Sequence, residues 1–212
     1  MSCSFDFGHY RELLDAARAG GYRFAFFEEE PRRGDLLLRH DVDLSLDAAV
    51  RLAELEADAG AQATYFLMTE SVFYNLASPE GVRALARLRE FGHRVGLHAV
   101  YPNARPDERF DAVVAWHNPA PEYMTAPLEG AVNVMQEPWF SPSTYRSDSN
   151  QHWRSGCPHE ELRASAFPWL QLLTHPEIWA YPGESMAETM HAMLDTERER
   201  RVAQLRADKI DV

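Results

Sequence analysis

The chain has 212 residues, 45% hydrophobic and 25% charged, which is the balance of a globular protein able to bury a core without covalent staples. Its 33 acidic residues against 21 basic ones give a net charge of −12, a surface that repels nucleic-acid phosphates and anionic lipid. Two cysteines (Cys3 and Cys157) are too few for a disulfide framework and fit a reducing compartment, no apolar run reaches the ~20 residues of a membrane helix, and the first ten residues lack the basic and apolar regions of a signal peptide, so the expected location is cytoplasmic.

Leu13, Leu14 and Ala17 share one face of a helix predicted over residues 10–19, and Gly20-Gly21 stops it. Residues 22–27 are aromatic-rich and read as a strand. A turn at residues 31–35 leads to a short buried strand, Leu36 to Arg39, which runs into His40-Asp41-Val42-Asp43. Ser45 is the expected cap of a helix carrying Ala49, Leu52, Ala53 and Leu55, ending at Gly60. Residues 63–68 form the next strand. Pro79 opens a helix with the stripe Val82, Leu85, Ala86 and Leu88, stopped by Gly92, and residues 94–98 return to strand.

This alternation is the pattern of parallel βαβ units. The middle is less regular, because residues 101–106 and 118–127 hold five prolines between them and are expected to be loop. Strands are expected at 111–116, 132–135, 145–147 and 170–174. From Ser185 the chain reads as one C-terminal helix over 185–212, with Met186, Met190, Met193 and Leu194 as its packing stripe. There is no internal repeat, and residues 1–212 read as a single catalytic domain.

Chemistry is expected where these strands end. Side chains alternate along a strand, so Arg39, Asp41 and Asp43 point to one face at the C-terminal end of an apolar strand, where parallel α/β proteins place their sites. Two close carboxylates repel unless a cation lies between them, and a metal held by one lets the other act as base. The bland alternative is a helix-capping loop with solvated acids. Arg94, Gly96 and His98 share a face of their strand, which makes His98 a candidate imidazole ligand. His93, in the turn before, reads as a surface or capping residue. His117 and His175 also follow strands. In the polar stretch 145–153, Trp153 could stack on a sugar ring or simply be core. Cys157 beside His159 is a weak nucleophile pair, since no orienting group accompanies it.

These stretches together resemble the polysaccharide-deacetylase family, the NodB-homology fold of carbohydrate esterase family four, in its short variants with His-Asp-Val-Asp. Ala61-Gln-Ala-Thr-Tyr-Phe-Leu67 resembles the family's Ala-Thr-Phe-Phe strand. Gly92-His-Arg-Val-Gly-Leu-His98 resembles its Gly-His-Glu-Ile-Gly-x-His, and Leu172-Leu-Thr-His175-Pro its late Leu-x-His-Pro motif. The resemblance runs from about Tyr10 to Pro182. It implies an α/β fold, a distorted (β/α) barrel. It also implies a hydrolase that removes an acyl group, N-acetyl above all, from a sugar or glycan-related small molecule, with Zn2+ or another divalent metal as cofactor.

Carried over by residue, the resemblance implies Asp41 as general base, Asp43 and His98 as metal ligands, and His175 as the general acid. The family's second histidine, four residues after the first, is replaced here by Pro102, and His117 is the best substitute. Arg39 would orient the base. The one-residue gap between Asp41 and Asp43 leaves an exchange of their roles open. Tyr101, Asp148 and Trp153 are expected to bind substrate, with specificity set by the loops at 101–106 and 118–143. Two alternatives share the fold: an amidohydrolase working without metal through Asp41 and His175, and a carbohydrate-binding relative that has lost turnover. The sequence is silent on oligomeric state.

Overall fold

The computed structural model describes residues 3–212. Residues 1 and 2, part of the segment read as free of a signal peptide and of the domain expected over 1–212, lie outside them. The chain runs α1 (Phe7–Ala19), β1 (Arg23–Phe24), β2 (Asp35–Val42), α2 (Leu46–Asp58), β3 (Ala63–Leu67), α3 (Pro79–Glu90), β4 (Arg94–Ala99) and β5 (Val113–Trp116). It continues with α4 (Pro121–Met124), β6 (Val132–Asn133), β7 (Tyr145–Ser147), α5 (His159–Arg163), β8 (Leu170–Thr174), α6 (Pro176–Ala180) and α7 (Met186–Ala207).

All the strands join one sheet in the order β6-β5-β4-β3-β2-β8-β7, with β1 pairing to the start of β2. Every ladder is parallel. The sheet curls into a half-barrel with helices outside it, an α/β architecture of the distorted (β/α) barrel kind. No helix among the described residues is long and apolar enough to cross a membrane.

Local chemistry sets the helix ends. Ser45, Ser78 and Ser185 each accept a backbone N–H three residues on, capping α2, α3 and α7. Gly60 and Gly92 adopt φ of 65° and 88° just after α2 and α3, a left-handed turn that glycine makes without steric cost.

The sheet is buried on both faces, as parallel sheets are. Parity divides the two sides. Leu36, Leu38 and Val42 of β2 join Tyr65, Leu67, Val95, Leu97 and Leu172 in the core under the helices. Leu37 instead joins Phe66, Val113 and Ala115 in a smaller cluster inside the half-barrel. Arg39, Asp41, His98 and Gln171 follow this inner parity, and so does position 96, where glycine carries no side chain.

Several expectations are corrected. The strand expected at 22–27 shrinks to β1, which pairs only with Asp35 and Leu36. Those at 111–116 and 132–135 shorten to β5 and β6, although the Asp111 and Val134 N–H groups still donate to the Val95 and Val114 carbonyls. The loop at 118–127 contains the single turn α4, and α5 and α6 are too short for periodicity to reveal them. Val82 and Leu194 are exposed, so α3 packs through Ala84, Leu85 and Leu88, and α7 buries Met193 and Thr189. His93 is buried rather than at the surface. Its Nε2–H donates to the Ala53 carbonyl at 3.0 Å, and its Nδ1 accepts the Ala63 N–H at 3.2 Å.

Candidate active site

Four strand ends meet at one mouth of the half-barrel. β2 delivers Asp41 and Asp43, β4 delivers His98, β5 is followed by His117, and β8 by His175. They line a cavity of about 680 Å3 together with Arg39.

Three of these residues offer donor atoms to one point. Asp43, His98 and His117 each present an atom within 4.8 Å of the other two. His98 Nε2 lies 3.1 Å and His117 Nδ1 3.3 Å from Asp43 Oδ1. Although both are close, no hydrogen bond of sound geometry reaches this buried oxygen. An unsatisfied buried carboxylate oxygen flanked by two imidazole nitrogens fits a divalent cation.

The His98 tautomer supports the same fit. His98 Nδ1 is 3.1 Å from the Ala115 carbonyl, which can only accept, so Nδ1 carries a proton and Nε2 presents a lone pair in the neutral ring. His117 Nε2 faces the Asn118 side-chain amide at 3.2 Å. The group on that side is the amide nitrogen, which donates to Nε2 and leaves the His117 proton on Nδ1, 3.2 Å from the His98 Nε2 lone pair; a metal would displace that proton. Asn118 itself has φ of 45°, a left-handed conformation that asparagine tolerates, and it turns the chain sharply after His117.

Asp41 has a different environment. Arg39 grips it bidentately, Nε to Oδ1 at 2.8 Å and Nη2 to Oδ2 at 2.7 Å, with both side chains buried. Burial alone would raise the Asp41 carboxyl, but the Arg39 charge and then His98 outweigh it and hold it below the usual range. Asp43 is likewise held low, its desolvation outweighed by His117, His98 and His175. Arg39 also donates to Gln171 Oε1 at 3.2 Å and sits 5.8 Å above the Phe66 ring. A Cβ at position 96 would come within 2.5 Å of that ring, so glycine makes room for Phe66 and, through it, for Arg39.

His175 is held by Asp148. The Nδ1–H donates to Asp148 Oδ1 at 2.6 Å, while Asp148 Oδ2 accepts the His175 backbone N–H at 3.0 Å and Trp179 Nε1–H at 2.7 Å. Burial pushes the imidazole down, yet the Asp148 charge and hydrogen bond outweigh it and carry His175 up to about 10. Its Nε2 faces the cavity, 4.0 Å from Asp43 Oδ2. Nearby Glu177 is buried with Oε2 unpartnered, and burial raises its carboxyl to about 8.

The structure thus brings Arg39, Asp41, Asp43, His98, His117 and His175 to one cavity, and leaves out the residues expected to bind substrate. Trp153 is core, stacked on Phe5 at 6.2 Å and tilted against Trp179 at 6.3 Å. Asp148 is fully buried behind His175 and cannot meet a ligand. Tyr101 is exposed and lies outside the cavity lining. A polar or aromatic residue near a strand end faces the mouth only where parity and packing turn it there, and at these three positions they do not. Cys157 faces His9 rather than His159.

Sequence reasoning missed Glu177, Trp179 and Gln171. Position 171 carried a signal, a lone amide inside an apolar strand. So did Glu56, which falls on the buried stripe of α2 four residues after Leu52. Its carboxylate accepts from Tyr10 at 2.6 Å and Tyr65 at 2.7 Å, and pairs with His40 at 2.9 Å on the helix side of the sheet.

No family model matches the chain, and no curated protein matches it. Among solved structures, a peptidoglycan deacetylase of Bdellovibrio bacteriovorus aligns with 86% of this chain and 46% of its own, at 13% identity and a TM-score of 0.32. The chain therefore spans less than half the length of that protein.

Proposed function

We propose that the protein is a metal-assisted hydrolase that removes an acyl group, N-acetyl above all, from a sugar or glycan-related substrate. The observation that carries this reading is the meeting of Asp43, His98 and His117 beside Asp41 and His175 in one cavity. Asp43, His98 and His117 would hold the metal. When bound there, it would polarise the acyl carbonyl and acidify water.

The remaining work belongs to the chain's own groups. Asp41, kept ionised and fixed by Arg39, accepts the proton of the attacking water. His175, its Nδ1–H spent on Asp148, keeps a proton on Nε2 and delivers it to the departing amine. Asp148 cannot leave that arrangement, since both its oxygens are engaged. The roles thus divide by environment: the acid paired with arginine is the base, and the imidazole paired with a carboxylate is the acid.

Release of acetate from acetylated amino sugars, measured beside divalent-metal content, tests the reading. Asp43→Ala and His98→Ala should each lose hydrolysis together with the metal bound at this site. Hydrolysis that survives both changes in metal-free protein overturns the metal mechanism. The full domain extent, residues 1–212, is part of the same proposal.

A further inference from the structure

The chain's two cysteines are far apart in sequence and meet in space. Cys3 precedes α1, Cys157 lies in the loop before α5, and His9 stands in the first turn of α1. One donor atom from each falls within 4.8 Å of the other two. His9 Nε2 is 3.1 Å from Cys157 Sγ.

Two further contacts prepare these atoms for a ligand. His9 Nδ1 lies 2.9 Å from Glu12 Oε2, which can only accept, so the proton sits on Nδ1 and Nε2 turns its lone pair toward the sulfur. A carboxylate behind an imidazole is the arrangement that orients histidine ligands of metals. On the other side, Trp153 Nε1–H donates to Cys3 Sγ at 3.2 Å, so that sulfur serves as an acceptor. All three donors are partly buried, and none lines the active-site cavity.

The geometry points to a second metal site, in which Cys3, His9 and Cys157 hold a soft divalent cation of the Zn2+ class with water in the fourth place. Two thiolates and an imidazole select zinc over magnesium or calcium, which prefer oxygen. On binding, the two thiols release their protons to solvent.

Such a cation would pin the N-terminal segment to the loop before α5. The neighbouring side chains give that tether a consequence. Phe5 meets Trp179 edge-on at 5.2 Å and His9 stacks on it at 6.4 Å. Trp179 in turn holds Asp148, the partner of His175. The site therefore braces the wall behind His175, whatever substrate the cavity accepts.

Titration of reduced, metal-free protein with Co2+ tests this, because thiolate ligation gives a near-ultraviolet charge-transfer absorption that a carboxylate and two imidazoles do not. The wild-type protein should show the band. Cys3→Ser and Cys157→Ser should lose or weaken it, and Asp43→Ala should keep it, which separates this site from the active site. Zinc should raise the thermal midpoint of Asp43→Ala and have no such effect when Cys157→Ser is added. Absence of the band in the wild-type protein overturns the proposal even if the serine variants fail to fold. A band unchanged by Cys157→Ser, or a Cys3–Cys157 disulfide found by non-reducing mass analysis of protein purified without oxidant, overturns it too.

Discussion

Asp148 shows how far one residue's meaning depends on its neighbours. In sequence it is an acid in a polar stretch after a proline-rich loop, and nothing there says that it faces inward. In the fold it is a positioning residue that acts through His175. Asp148→Asn keeps the shape and removes the charge. The change should lower kcat on the order of 100-fold, the lower end of what a positioned general acid contributes, with KM little altered. The sign of the pH effect follows from the same contact. Asp148 raises His175, so its neutralisation lowers the imidazole pKa, and the basic limb of the kcat/KM profile moves to lower pH. A rate loss with an unmoved profile would mean that Asp148 merely supports the fold.

At the scale of elements, β2 and α2 carry the argument. The alternation along β2 was readable, and it placed Arg39 and Asp41 together. What was not readable is that the opposite parity is polar too, with His40 reaching Glu56 on α2. Burial alone would raise the Glu56 carboxyl; the His40 charge and hydrogen bond, then His93 and Tyr10, outweigh it and hold the group below its usual 4.5. A depressed folded value means that the contribution is fully present above pH 4.5 and is lost as pH falls through the folded pKa. Urea midpoints measured from neutral to acid pH should therefore drop in the wild-type protein. Glu56→Gln should be less stable at neutral pH and lack part of that acid slope. On β4, Gly96→Val would drive a side chain into Phe66 and Val113. Overpacking of this kind costs about 1–3 kcal/mol, and calorimetry should find it together with weakened hydrolysis, because Arg39 rests on the displaced ring.

Over the whole molecule, the half-barrel leaves a gap between β6 and β7 at the two ends of the sheet. Residues 134–144 cross that gap, and one buried side chain ties them down. Gln171 Nε2 donates to the carbonyls of Val134 and Trp139, each at 2.8 Å, while its Oε1 accepts from Arg39. Gln171→Leu would strand one buried carbonyl, one partly buried carbonyl and one guanidinium N–H, at a cost of roughly 1–3 kcal/mol for each fully buried group left unsatisfied. Hydrogen exchange should quicken over residues 134–140, with a rise in KM as the mouth loosens. Unchanged exchange there would mean that the crossing segment is held elsewhere.

The sequence alone determined what period and chain order can carry. The Ser45 cap, Pro79 and the glycine stops marked α2 and α3, and strand parity put Arg39 beside Asp41 and aimed His98 the same way. The same parity placed Asp43, and the strand-end positions of His117 and His175 followed because each closes a largely apolar strand. Only the tertiary structure decided the rest. Cys3 and Cys157 lie far apart along the chain, Asp148 supports a histidine 27 positions later, and Trp153 packs on a phenylalanine from the N-terminal segment. Those pairings have no local signature. They are set by which faces the sheet and helices must bury against each other, and that choice is made by the packed chain as a whole.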